Sequence, residues 1–257
     1  MKDDTLKIYR DRIAAVLSHI LRHLDHPLNL EALAVVAMFS PFHFHRVFRG
    51  QVVSIAFGES PSSFRSNRSA VPPLPAPSWV HYRSDGHLED FVPISQRSTS
   101  VEGKIVDLKQ RRVLCLRHIG PYPEIGKAFG RLYEYIGANH PELQAAECIG
   151  IFRDDPENTP PAKLRSDACV VLPEGLEPKC EEGFRIDTIE AGSYATTRHT
   201  GSYMKLSETW QEFCGTWIPT QGVKIRNGHC FEIYMNNCHE VPEDQLITDL
   251  YEPVEPV

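Results

Sequence analysis

Residues 117–122 read RHIGPY, and 81 residues later, at 198–203, the chain reads RHTGSY. Each copy follows a strand-like run, RVLCL at 112–116 and SYATT at 193–197. Each also precedes a run with helical spacing, EIGKAFGRLYEYI at 124–136 and KLSETWQEFCGTWI at 205–218. The echo continues into a strand, a polar loop with proline, and another strand: IGIFRDDPENTPPAKLRSDACVVL at 149–172 and FEIYMNNCHEVPEDQLITDLYEPV at 231–254. A strand, helix, strand, strand unit used twice predicts an α+β domain with antiparallel sheets. Two such copies about a pseudo-twofold axis leave a cleft between their helices and sheets.

Outside the repeat, a length of 257 residues suits two compact units. Hydrophobic residues make up 41% and charged residues 24%, which excludes a disordered or fibrous chain. No apolar run is long enough to span a membrane, and MKDDTLKIYRDR lacks the apolar core of a signal peptide, so a cytoplasmic location without membrane partners is expected. The seven cysteines fall at irregular spacings with no CxxC, which indicates neither a disulfide framework nor a zinc site. Residues 1–70 carry nine Lys and Arg against six Asp and Glu, net +3, whereas the whole chain is −7. A basic head on an acidic body fits a nucleic-acid-facing segment, because phosphate neutralisation needs local positive charge.

Apolar positions Ile8, Ile13, Val16, Leu17, Ile20, Leu21 and Leu24 share one helical face, and Pro27 ends that helix. LEALAVVA at 30–37 predicts a second short helix, and Ser40 followed by Pro41 starts a third. From Ser69 to Gly103 proline accumulates and periodicity fades, as in an extended connector with one strand. The expected division is therefore a helical region at 1–68, a connector at 69–103 and the repeat domain at 104–257.

The run LNLEALAVVAMFSPFHFHRVF (28–48) resembles the first helix-turn-helix of AraC-type regulators through Leu30, Leu33, Ala34, Ala37, Ser40, Phe44, Arg46 and Phe48. The resemblance implies that the exposed side of the second helix lies in the major groove, so His43, His45, Arg46 and Arg49 are the candidate DNA contacts. A metal reading of His43 and His45 fails, because residues two apart on a helix point roughly 200° from each other. FRGQVVSIAFGESPSSFRSN (48–67) then passes almost directly to the ending such regions have, so most of a second helix-turn-helix is missing. Weak DNA binding by a monomer is expected, with a homodimer as the way to supply a second helix.

Residues 104 to about 254 resemble the GyrI-like effector-binding domain through RHIGPY, RDDPENTPPAKLRSDACV, GHCFEIYMN and TDLYEPV. The resemblance implies a ligand pocket between the repeats, aromatic-walled and carrying a glutamate suited to a small lipophilic cation. Here that glutamate is Glu232, and strand alternation puts Cys230, Glu232 and Tyr234 on one face. The competing reading of Glu232 is a structural ion pair, for instance with Arg198. Tyr122, Tyr203, Trp210 and Tyr234 are the expected lining, Trp217 is expected in the core, and His118 and His199 are expected to serve strand packing.

No nucleophile elbow, Gly-rich phosphate loop or metal signature is present, and no cofactor is expected. Three functions follow: a ligand-responsive AraC-type transcriptional regulator, a ligand-sequestering protein or hydrolase, and a module acting on another macromolecule. The hydrolase reading comes from the resemblance, since some GyrI-like proteins cleave cyclopropane-bearing compounds and Glu232 with a tyrosine could position water.

Overall fold

The computed structural model describes residues 2–23, 28–39, 44, 47–48, 80–82, 88–91, 101–154, 156, 159–181 and 183–256. The chain divides into two compact units: residues 1–101 with 210–224 and 256–257, and residues 102–209 with 225–255.

In the first unit the predicted amphipathic helix is α1, Lys2–Arg22, and LEALAVV forms α2, Leu30–Val36. Asn29 caps α2 by accepting a hydrogen bond from the Ala32 amide at 2.8 Å, which satisfies one of the donors a helix start leaves open. Val16 of α1 packs on Ala34, Ala37 and Phe44, the small residues letting the helices approach closely. Phe44 and Phe48 lie with ring centroids 5.1 Å apart. Ser40, Pro41, His43, His45, Arg46, Arg49 and residues 49–67 lie outside the described residues. Within 69–103, two strands are described: β1, Val80–Tyr82, pairs antiparallel with β2, Leu88–Phe91, where a single strand was expected.

In the second unit the first repeat comprises β4 (Arg111–Ile119), α3 (Gly126–Asn139), β5 (Cys148–Phe152) and β6 (Arg165–Val171). The second comprises β8 (Gly192–Thr200), α4 (Leu206–Glu212, whose residues from Trp210 on fall in the first unit), β10 (Cys230–Tyr234) and β11 (Ile247–Pro256, whose last residue does so too). Two strands the repeat did not announce precede them: β3, Gly103–Leu108, and β7, Phe184–Ile189. The strand order is β3-β8-β11-β10-β5-β6-β4-β7, with β9, Val223–Ile225, pairing outside this path on β11. The pseudo-twofold axis thus passes between β5 and β10.

The helix expected over 205–218 is not continuous: α4 gives way to a π-turn, Phe213–Trp217, and a 3-10 turn, Ile218–Thr220, containing Pro219. The π-turn shifts the register that a seven-residue spacing assumes, and the buried Trp217 stacks on Phe213 with centroids 5.4 Å apart.

Each unannounced strand joins its own repeat by two residues but pairs with the other repeat. In a flat sheet β7 and β8, six steps apart in the order, would be roughly 29 Å apart. Only Glu190 and Ala191 link Ile189 to Gly192, a reach of about 11 Å. Lys109 and Gln110 impose the same constraint between β3 and β4. The sheet must therefore curl until its edges approach, enclosing Val113, Cys115, Ile149, Ile151, Cys169, Phe231 and Ile233 on its inner face. Full burial of each large apolar side chain contributes about 1.5–3 kcal/mol. The outer face carries α3, packed on β4 and β6 through Ala128, Leu132, Tyr135 and Ile136.

Candidate functional site

The repeated RHxGxY hexapeptide performs the same tasks in each half. Its arginine pairs across to an aspartate of the third strand: Arg117 with Asp167, and Arg198 with Asp249 through two hydrogen bonds of 2.7 and 2.9 Å. Its histidine closes the turn, His118 Nε2 lying 3.2 Å from the Pro121 carbonyl and His199 Nε2 3.1 Å from that of Ser202. The two histidines therefore hold a turn, a more specific task than strand packing. Gly120 (φ 142°) and Gly201 (φ 122°) occupy the left-handed region that a side chain disfavours, and donate to the Leu164 and Leu246 carbonyls. The tyrosines, Tyr122 and Tyr203, then open 3-10 turns that deliver the chain to α3 and α4.

These turns aim Tyr122 and Tyr203 at the two central strands. β5 reads CIGIF and β10 reads CFEIY, so the twofold places Gly150 where its mate has Glu232, and Phe152 where its mate has Tyr234. The Tyr122 ring meets Phe152 edge-on at 4.9 Å and 71°, and the Tyr203 ring meets Tyr234 at 5.5 Å and 70°. Phe129 of α3 adds a third edge contact to Tyr234 at 5.6 Å. Within this aromatic set lies Glu232, 4% exposed, with the Tyr234 hydroxyl donating to its Oε2 at 3.0 Å.

Glu232 pairs in register with Gly150 on one side and Leu250 on the other. Gly150 is a requirement of this packing: a Cβ there would stand 2.8 Å from the Tyr234 hydroxyl and 3.2 Å from the Phe152 ring. No local pattern marks Gly150, but aligning CIGIF with CFEIY sets it opposite Glu232.

Desolvation dominates the electrostatics. Burial pushes the Tyr234 hydroxyl far above the ordinary tyrosine range, and the charge of Glu232 adds to the shift. Burial also raises Tyr203 to about 12 and the Cys148 thiol, which hydrogen-bonds Tyr133, to about 11. These groups are neutral at physiological pH, and the Glu232 charge acts on two of them, the hydroxyls of Tyr203 and Tyr234. Such a setting favours an incoming cation that can use both the carboxylate and the ring faces.

The structure thus brings Glu232, Tyr234 and Tyr203 together, with Tyr122 one ring away beyond Phe152. Tyr122 commits its hydroxyl to Asp154, donating to the carbonyl and accepting from the amide at 3.0 Å. Trp210 belongs to the other unit, buried with its ring 6.2 Å from Phe213. Arg198 does not answer Glu232: Thr197 shares the register row of Leu250 and Glu232, so strand alternation turns Arg198 to the opposite face, where Asp249 holds it.

The model of a family described as the GyrI-like small molecule binding domain matches residues 102–255. The DNA gyrase inhibitor of Yersinia enterocolitica is 26% identical over 155 residues, covering 59% of this chain and 96% of that protein. A protein named probable transcriptional regulator YgiV, from Escherichia coli K12, is 31% identical over 112 residues, 44% of this chain and 69% of its own length. Among solved structures, the EcmrR C-terminal domain superposes with a TM-score of 0.50 at 22% identity, covering 62% of this chain and 99% of that one. EcmrR in its DNA complex gives 0.53 at 20% identity, covering 63% of this chain and 60% of that one, and both likenesses concern the fold.

Proposed function

Because this chain belongs, over residues 102–255, to the GyrI-like small-molecule binding domains, we propose that it is a ligand-responsive regulator whose effector is a small lipophilic cation held at Glu232. The observation that carries this reading is a carboxylate 4% exposed among aromatic rings, answered by the Tyr234 hydroxyl. A partly desolvated charge interaction of this kind is worth roughly 1.5–3 kcal/mol, enough to select a cation over its neutral isostere. Tyr234, Tyr203 and Tyr122 supply the apolar and quadrupolar walls.

The regulatory half of the proposal rests on the AraC-type pattern of residues 28–48, supported by the packing of Ala34 and Ala37 against Phe44. A single AraC-type recognition segment, with His43, His45, Arg46 and Arg49 as its candidate DNA contacts, would give a monomer affinity of about 10⁻⁴ to 10⁻⁶ M with steep salt dependence. Dimerisation would join two such helices and raise it. Fluorescence anisotropy of the full chain on a randomised duplex and on the gene's own upstream region, at two salt concentrations, tests this. Nanomolar, sequence-selective binding by a monomer at physiological salt would contradict the weak-head reading. Absence of any salt-dependent DNA binding would remove the regulator role.

A further inference from the structure

The strand order that closes the sheet also leaves an open end to the space it encloses. A cleft of about 770 Å³ lies there, on the face opposite Glu232, bounded by the two tight links around Gln110 and Glu190, by Arg153 after β5, and by the segment Arg226–His229 that leads into β10. Its floor is apolar and buried, formed by Ile151, Ile189, Tyr194 and Phe231. Mouths of curled sheets with an apolar floor and a few polar groups are common ligand sites.

Two guanidinium groups reach this cleft, and they differ. Arg153 is fully engaged by Asp167, by Asp187 at 2.5 Å and by His229 at 2.9 Å. Arg226 is less engaged: its Nη1 donates to the Asn227 carbonyl at 3.3 Å, and its charge and a hydrogen bond act on the Tyr194 hydroxyl. Its Nη2 is buried and meets no hydrogen-bond acceptor among the described residues, and the nearest described carboxylate, Glu190, stands 3.9 Å from Nη1 and is 76% exposed. A buried donor without an acceptor carries a desolvation cost that an anion would relieve.

The surroundings of Arg226 are shaped for it. The Tyr194 ring lies under the guanidinium at 5.1 Å. Gly192, at φ 140°, and Gly228 leave the space: a Cβ would come within 3.0 Å of Nη2 at Gly192 and 3.3 Å of Nη1 at Gly228. Burial and the neighbouring Arg153 charge lower the His229 pKa, keeping that imidazole neutral at physiological pH.

We propose that this cleft is a second small-molecule site, taking an amphipathic organic anion whose acidic head meets Arg226 and whose apolar body lies on Ile151, Ile189 and Phe231. It uses the face opposite Glu232 and the opposite charge preference, and does not depend on the cation reading of Glu232.

Two probes of the full chain test it: 8-anilinonaphthalene-1-sulfonate and its uncharged relative N-phenyl-1-naphthylamine, followed by fluorescence titration. The sulfonate should bind saturably, and R226M should weaken it about tenfold or more while changing the neutral probe less than twofold. R226K should retain part of the affinity and E232Q all of it. T188W, at the exposed rim, should block both probes by bulk and serves if R226M fails to fold. Equal sulfonate binding by wild type and R226M, or loss in E232Q but not in R226M, would overturn the site.

Discussion

Replacing Gly150 by alanine tests whether the space opposite Glu232 is kept for Tyr234. The strand backbone accepts alanine, since Gly150 is not among the positive-φ glycines. The added methyl would lie 2.8 Å from the Tyr234 hydroxyl and 3.2–3.3 Å from the Phe152 ring, so the tyrosine must move and its 3.0 Å hydrogen bond to Glu232 must lengthen. Overpacking costs about 1–3 kcal/mol. The reduced entropy of the unfolded chain returns about 0.4–1 kcal/mol. The expected net loss is roughly 0.5–2 kcal/mol, a fall of a few degrees in Tm for a domain of this size. Tyr234→Phe removes the hydroxyl and with it the closest clash, so Gly150→Ala should cost almost nothing in that background. Chemical denaturation of the four proteins gives the coupling, expected near 1 kcal/mol and favourable to the double variant. Additivity within about 0.5 kcal/mol would mean that Gly150 does not keep space for the Tyr234 hydroxyl.

Asp167→Asn should destabilise the domain by about 2–3 kcal/mol, because it strips the anion from Arg117, Arg153 and Arg185. Burial alone would raise the Asp167 pKa, but hydrogen bonds from Arg185, Arg117 and Arg153 hold it below the usual range. Its stabilisation is therefore complete above the unfolded value near 3.9 and is lost as pH falls through the lower folded value. Melting curves should accordingly show the wild-type advantage over D167N shrinking below about pH 4. Limited proteolysis should cut first within residues 69–103 and release a resistant fragment beginning near Val101, and first cuts inside 104–257 would contradict that boundary.

The repeat was legible because each RHxGxY carries local chemistry: an arginine for the facing aspartate, a histidine and glycine for the turn, and a tyrosine for the helix start. That symmetry led directly to β4, α3, β5, β6 and their counterparts. The strands β3 and β7 were not legible, because each pairs with the opposite repeat and its register is fixed by closure of the sheet. Glu232 and Tyr234 could be placed on one face by alternation, whereas the packing role of Gly150 needed the register across β5 and β10. The Arg226 cleft gathers Gln110, Ile151, Ile189 and Phe231 from distant segments, so no local pattern announces it. The π-turn after α4 was hidden because seven-residue spacing of tryptophans fits an α-helix equally well.

Calorimetric titration of wild-type and E232Q protein with an aryl trimethylammonium and its neutral tert-butyl isostere tests directly whether Glu232 holds a cationic ligand. E232Q should weaken the cation by about tenfold or more, the equivalent of roughly 1.5 kcal/mol, and leave the isostere within twofold. Equal weakening of both ligands would make Glu232 a structural residue, and an unchanged affinity for the cation would place the ligand elsewhere.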